Sequence, residues 1–449
     1  MKNSFVEIPG SICAPRGFKC ASVFCDIKKL GTGQGSEKGR KDDLALIVSD
    51  VPAAVAGMFT TNQVCAAPVK VSRKIASGKL ARAIVVNSGN ANACTGKQGI
   101  ADAKRMTEIA AASVAALYER RKNSNRATVT DRRYKIKSDD VLVCSTGRIG
   151  VPMPMTNVEC GIQVCAPLIA RSTSSARRVA EAIMTTDTRC KEIAVEFKIG
   201  AQTVRVGGIC KGAGMIQPGM ATMLAFITSD IAIEPKLLKS ALRDAVTKGF
   251  NRITVDGDMS TNDSVIIFAN GLAGNTKIES GKSKAFEIFQ IALNHVCLEL
   301  AKMIVRDGEG VSRFVTLHVH GARSSSDAES AARAIANSSL VRTSWCGGDP
   351  NWGRVLCALG YSKAKVDEAI VDVGYAEPAR RKIVFAFRRG RPTNVALKTL
   401  AQITTAPEFD LHVDLHLGRA EFTMYASDLT ENYVAFNKGD VNDPTTLGG

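Results

Sequence analysis

The sequence predicts a mixed α/β fold in which layered sheets are flanked by helices. Two observations carry this expectation. Short apolar, strand-like runs alternate with amphipathic helical periods through both halves of the chain. The composition, 45% apolar and 23% charged, is that of an ordinary globular protein. The length of 449 residues suits one large domain or two to three ordinary ones, and no fixed-period repeat breaks the alternation.

In chain order, residues 12–25 read as short extended pieces around Pro15 and Gly17. Residues 44–48 and 83–86 are strand candidates. The second runs into Asn87-Ser-Gly-Asn-Ala-Asn-Ala-Cys-Thr-Gly96. That loop either presents backbone N–H groups to a ligand or is an ordinary strand-to-helix turn. Residues 100–118 form a helix, because Ala103, Met106, Ile109, Ala110, Val114 and Leu117 recur at spacings of three and four. The basic stretch 120–140 has few apolar anchors and reads as a mobile surface insertion. A strand at 141–145 ends at Thr146-Gly147, and a helix at 174–184 runs into Thr185-Thr-Asp-Thr188. Strand 203–206 then leads through Gly207-Gly208 to the central stretch.

That stretch is Lys211-Gly-Ala-Gly-Met-Ile-Gln-Pro-Gly-Met-Ala-Thr-Met-Leu224. Gly212, Gly214, Pro218 and Gly219 crowd together, and an apolar strand-like run at 223–227 follows. Ala221-Thr222 at the seam would place a hydroxyl at the rim of a sheet under backbone strain. A threonine hydroxyl is a weak nucleophile without a base, and a free α-amine of pKa about 8 on the same residue can be that base. Freeing the amine means cutting the Ala221–Thr222 bond, which the hydroxyl could do by attacking the Ala221 carbonyl. Ala-Thr before a strand is common, so the short motif alone carries little.

Beyond the seam, Pro235 opens a helix with Leu238, Ala241, Leu242 and Ala245 on one face, closed by Gly249. Strands at 252–255 and 265–269 flank the polar loop Asp256-Gly-Asp-Met-Ser-Thr-Asn-Asp263. The longest helix spans 284–305 and runs into Arg306-Asp-Gly-Glu-Gly310. A strand at 314–320 precedes a helix at 326–336, where Ser326 and Glu329 have capping-box spacing. Gly347-Gly-Asp-Pro-Asn-Trp-Gly-Arg354 is too polar and glycine-rich to be core. Strands at 383–387 and 411–417 follow, and residues 430–436 close the ordered pattern.

The net charge of +16 fits a basic surface that attracts anionic small molecules. Nucleic-acid binding is the sharper alternative, centred on residues 120–137 with eight Lys/Arg against one acid. Aromatics are only 5% of the chain and no stacking platform is evident, so no nucleic-acid partner is expected. The charge-free runs 51–69 and 212–229 are interrupted by prolines, glycines and amides, so no membrane association is expected either. Thirteen cysteines without a C-x-x-C pair fit free thiols in a reducing, cytoplasmic setting. No metal is expected. His412 and His416 sit on one strand too far apart to share an ion, and His318 and His320 read as structural or surface residues.

The central stretch closely resembles the processing site of the ornithine acetyltransferases, the bifunctional glutamate N-acetyltransferase family of arginine biosynthesis. Phe59-Thr-Thr-Asn62, Val86-Asn-Ser-Gly-Asn-Ala-Asn-Ala-Cys-Thr-Gly96, Ser145-Thr-Gly147 and Met184-Thr-Thr-Asp-Thr188 match before it. Arg252-Ile-Thr-Val-Asp-Gly-Asp258, Ser260-Thr-Asn-Asp263, Arg306-Asp-Gly-Glu-Gly310 and Gly348-Asp-Pro-Asn-Trp-Gly-Arg354 match after it, all in family order. The resemblance implies a layered αββα-type sandwich built from two autoprocessed chains, residues 1–221 and 222–449, forming one globular unit. It implies cleavage between Ala221 and Thr222, with Thr222 as the nucleophile that carries acetyl from N-acetylornithine to glutamate. Thr146 and Gly147 match the oxyanion-hole pair, although Thr146 alone would read as a strand-end turn. Thr185, Lys211, Thr222, Glu309 and Asn437 match substrate-binding positions, although Lys211 and Glu309 alone would read as surface charges. Thr186 beside Thr185 leaves that position open by one residue. The family implies a heterotetramer of two chains of each kind and no cofactor, with acetyl-CoA left open as a second acetyl donor. The family's usual Thr or Ser five residues after its terminal Asn is Asn442 here. A self-cleaving aminopeptidase or amidohydrolase of similar architecture is the competing enzyme reading.

Overall fold

The computed structural model describes residues 5–28, 41–78, 80–124, 136–217, 223–378, 380 and 382–438. The chain is mixed α/β with two sheets, as expected. The nine-stranded sheet runs Phe5–Glu7, Lys191–Ile199, Gln202–Lys211, Leu224–Ser229, Ser264–Ala269, Leu44–Phe59, Leu80–Asn90, Val141–Arg148, with Phe18–Val23 added beside Leu44–Phe59. The seven-stranded sheet runs Arg391–Pro392, Val384–Arg388, Asp372–Ala376, Glu408–Asp414, Phe314–Ala322, Ala420–Ser427, Ile253–Thr254.

Period-two burial puts alternate residues of the first sheet on opposite faces. Val206, Ala225, Ile227, Val265 and Ile267 pack with helices Pro235–Lys248 and Lys284–Arg306. Ile209, Leu224, Phe226, Ile266 and Phe268 pack on the other face, in a core shared with helices Ala67–Ala76 and Thr173–Ala182. The second sheet has its own core, in which Leu317, Val319, Leu411 and Val413 meet Ala331, Ile335 and Trp345. Helix Lys284–Arg306 touches strands of both sheets. It is long and apolar enough to cross a membrane by length and composition, but Leu293, Val296, Leu300 and Ile304 are fully buried in the core.

Several elements differ from the sequence expectation for local physical reasons. The strand expected at 44–48 continues to Phe59 despite Pro52. Its register with Leu80–Asn90 shifts between Val48 and Ala53, so the residue lacking an N–H falls in the ladder break. The helix expected at 326–336 is Ser325–Ala336, capped by Ser324, whose Oγ accepts from Asp327 N at 3.1 Å. Glu329 pairs with Arg333 at 2.7 Å instead of closing a capping box. The polar segment 347–354 is a loop only in its first half, because Asn351 caps helix Trp352–Gly360. Helix Gly96–Ser124 absorbs the start of the basic stretch, and its centre, 125–135, lies outside the described residues.

Candidate active site

Strand register assembles the candidate site. Lys211 stands opposite Leu224, Leu224 opposite Ser264, and Ser264 opposite Phe59. Four chain segments remote in sequence therefore end on one rim of the sheet. Met223 is the first described residue after the seam. Its N–H donates to Asp263 Oδ1 at 2.8 Å, and Ser264 N–H returns a bond to the Met223 carbonyl at 3.0 Å. Residues 218–222, which include Ala221 and Thr222, lie outside the described residues, as does Asn442.

Lys211 is the centre of the described part. Its side chain is buried, and Nζ donates to Thr185 Oγ1 at 2.7 Å and to Thr146 Oγ1 at 3.5 Å. Three of the sequence-predicted positions thus converge on one ammonium, and the hydroxyl that meets Lys211 is that of Thr185. Burial lowers the Lys211 pKa below its ordinary value, with Asp187 as the main opposing charge.

Asp187 is the anchor beneath. Its Oδ1 accepts from Gly212 N at 2.7 Å and from Lys191 Nζ at 2.6 Å, and its Oδ2 accepts from Thr185 N at 3.1 Å. Lys211 Nζ is 3.9 Å from Oδ2. Burial alone would raise the Asp187 pKa, but the two lysines and the Gly212 N–H bring it down to about 2. Lys191, itself buried, also reaches Asp307 Oδ2 at 2.5 Å. Asp307 in turn receives Thr188 N at 3.0 Å, Arg189 N at 3.2 Å and the Thr188 hydroxyl. This network locks segment 185–191 to the end of helix Lys284–Arg306.

Glu309 follows that helix by three residues. Its N–H donates to the Ala213 carbonyl at 3.0 Å, which lays the side chain over Gly214. A Cβ at Gly214 would stand 2.5 Å from the Glu309 carboxylate, so any larger residue there would displace that carboxylate. Asn437, at the end of helix Glu431–Asn437, donates through Nδ2 to Glu309 Oε2 at 2.9 Å. Glu309 is thus tied to segment 211–214, which begins with Lys211.

Thr146 and Gly147 end the strand Val141–Arg148, where Gly147 has φ +129° and faces Gly89 across a parallel pairing. A Cβ at Gly147 would meet the Gly89 carbonyl carbon at 2.3 Å. Asn262 ties this strand to the seam region, donating to the Ser145 carbonyl at 2.8 Å and the Ala91 carbonyl at 2.7 Å. The Asn87–Gly96 loop spends its side-chain amides on backbone carbonyls: Asn87 on Asn90, Asn90 on Val151 and Pro152, Asn92 on Gly99. It acts as a packed turn supporting Thr146.

Asp187, Asp263 and Asp307 are site residues to which sequence reasoning gave no role. Each lies in a polar loop segment, and only the fold supplies its buried partner. Asp263 is almost wholly buried, and burial raises its pKa well above the ordinary carboxylate value, against the Met223 N–H and the Lys211 charge.

Beside Thr185 and Asp187 opens a cavity of about 700 Å³ whose walls include Lys28, Lys41, Arg177, Arg178 and Arg189, with Asp42 and Glu181 among them. A model of the ArgJ family matches residues 23–439. The chain belongs to the ArgJ family. Among relatives, the Arginine biosynthesis bifunctional protein ArgJ of Symbiobacterium thermophilum is 43% identical over 431 residues, 96% of this chain and 98% of that protein. The Glutamate N-acetyltransferase of Methanocaldococcus jannaschii is 43% identical over 437 residues, again 96% and 98% of the two chains. A crystal structure of the arginine biosynthesis bifunctional protein from Bacillus halodurans is 36% identical to this ArgJ-family chain, covers 48% of it and 99% of its own chain, and has a TM-score of 0.45. The ornithine acetyltransferase of Mycobacterium tuberculosis, solved with ornithine, is 31% identical, covers 49% and 99%, and has a TM-score of 0.38.

Proposed function

We propose that this chain is a self-cleaving glutamate N-acetyltransferase of arginine biosynthesis, moving acetyl from N2-acetyl-L-ornithine to L-glutamate. The observation that carries this reading is the convergence of Lys211, Thr185 and Thr146 on the sheet rim from which Met223, the neighbour of Thr222, sets out. In this reading the Thr222 hydroxyl attacks the Ala221 carbonyl and displaces the Thr222 nitrogen, forming an ester. Water hydrolyses the ester, leaving chains 1–221 and 222–449 in one globular unit.

The freed α-amine of Thr222 then takes the proton from its own hydroxyl as that oxygen attacks the acetyl carbonyl of acetylornithine. Thr146 and the Gly147 N–H donate to the developing oxyanion. Ornithine leaves carrying the proton, and acetyl remains as an ester on Thr222. The glutamate amine attacks that ester, giving N-acetylglutamate and restoring the threonine. Lys211 pairs with the α-carboxylate that both substrates carry, and Glu309, steadied by Asn437, pairs with the ammonium of ornithine. The neighbouring cavity has five cations against three acids on its walls, an excess that favours anionic substrates. They would equally favour a phosphorylated donor, and acetyl-CoA serves as the second donor in this reading. Family resemblance supports assembly into a heterotetramer of two chains of each kind. The thirteen unpaired cysteines support a cytoplasmic setting.

Intact-mass analysis tests the core of the proposal. Two polypeptides are expected, the second beginning at Thr222 and gaining one acetyl group on exposure to acetylornithine. A single uncut chain in active enzyme would overturn it. Ornithine release that needs glutamate supports transfer, whereas equal release without it would make the enzyme a hydrolase. N-acetylglutamate formed from acetyl-CoA and glutamate alone tests the second donor, and native mass tests the tetramer.

A further inference from the structure

The second sheet carries a polar cluster unrelated to the transferase chemistry. Strands Phe314–Ala322 and Glu408–Asp414 pair in parallel, with His318 opposite His412 and His320 opposite Asp414. Leu317, Val319, Leu411 and Val413 point into the core. His318, His320, Asp410 and His412 therefore share the opposite face. The His318 and His412 rings lie 4.6 Å apart, and His320 lies 5.6 Å from His412.

We infer that His318, His412 and Asp410 form a binding site for a divalent transition-metal ion of the zinc or cobalt class, clamping two central strands of the second sheet together. One donor atom from each of the three residues lies within 4.8 Å of the others. A tetrahedral ion with ligands at about 2.0–2.1 Å holds its donors about 3.3 Å apart, so ligation requires the His318 and His412 rings, stacked 14° from parallel, to turn towards a common point. The partners already present leave the required atoms available. His318 Nδ1 meets Thr423 Oγ1 at 3.2 Å, and its Nε2 lies 3.9 Å from Asp410 Oδ2. His412 Nδ1 meets His320 Nε2 at 3.4 Å, while His412 Nε2 is buried with no hydrogen-bond partner among the described residues.

A buried ring nitrogen with no partner costs stability, and a metal ion would remove that cost. Glu421, 3.7 Å from His320, adds negative charge at the rim. Two imidazoles and one carboxylate select the zinc, cobalt, nickel and copper class over magnesium or calcium. His320 is placed to orient His412 from outside the ligand set, as a metal-bound histidine usually requires.

The full-length enzyme, stripped with chelator and titrated with Co²⁺, tests this. Expected are about one ion per chain, visible d–d bands of nitrogen and oxygen ligation, and a higher thermal midpoint with Zn²⁺. His412→Asn and His318→Gln should each weaken binding at least about tenfold. His295→Gln, outside the cluster, should leave it unchanged. Asp410→Asn keeps the side chain's shape and gives the same answer should a histidine variant fail to fold. Absence of saturable binding would overturn the inference. So would a thiolate-to-cobalt charge-transfer band marking the cysteines as ligands, or wild-type affinity in the folded variants.

Discussion

Asp187→Asn is the substitution that most directly probes how the site is held. The side chain is fully enclosed and holds Lys191, the Gly212 N–H and the Thr185 N–H at 2.6–3.1 Å. Its pKa falls from an ordinary 3.8 to about 2, a depression worth about 2 kcal/mol at neutral pH at about 1.36 kcal/mol per unit. A carboxylate held below its unfolded value stabilises the fold fully above about pH 3.8, and that contribution is lost as the pH falls through about 2. At pH 3 about half of it remains. The asparagine also leaves Lys191 with Asp307 alone, and removing one member of a buried ion cluster typically costs about 3–5 kcal/mol. Urea unfolding of both proteins at pH 7 should therefore show a loss of about 3 kcal/mol or more, narrowing by about 1 kcal/mol at pH 3. The pH profile supplies a second readout. Asp187 is the main charge opposing the lowered pKa of Lys211, so its loss lowers that pKa further. An ammonium is lost as pH rises through its pKa, so the alkaline limb of kcat/KM should move to lower pH. A stability loss under about 1 kcal/mol, or an unmoved alkaline limb, would refute the reasoning.

Thr185→Val removes the hydroxyl that accepts from Lys211 and should lower kcat/KM about tenfold with little change in urea midpoint. Asn437→Ala frees the Glu309 carboxylate and should raise KM for acetylornithine about tenfold, with a smaller change in kcat, measured by initial rates. Gly147→Ala puts a Cβ on a φ of +129° and against Gly89. Thermal melts should show a loss of more than about 1 kcal/mol, and single-turnover acetylation of Thr222 should slow by about 100-fold or more.

What could be read in the sequence, and what could not, divides along the range of the interactions. The strand at 141–145, the helix from Pro235 and the longest helix announce themselves through periods of two and 3.6 and through local caps, so each was legible within a short window. The polar loops were equally visible, and their residues do gather at one rim. Their mutual positions were not legible, because Lys211, Met223, Asp263 and Thr60 meet only through the pairing of four strands, and nothing local encodes that register. The same limit explains the carboxylates. Asp187 and Asp307 look like loop residues until Lys191, 116 residues from Asp307, is placed between them. Burial then turns three ordinary charges into a network whose members cannot be exchanged singly. The histidines make the point most sharply. The sequence places His412 and His416 on one strand, but that strand ends at Asp414 and His416 lies beyond it with φ +52°, its Nε2 3.0 Å from Asp372 Oδ2. The period-two rule nevertheless puts His318 and His412 each on a defined face of its own strand. A parallel pairing then sets those faces side by side, with Asp410 on the same face and His412 Nε2 buried without a hydrogen-bond partner among the described residues. A ligand set built across two strands is therefore invisible to any search along one, and only the sheet register can propose it.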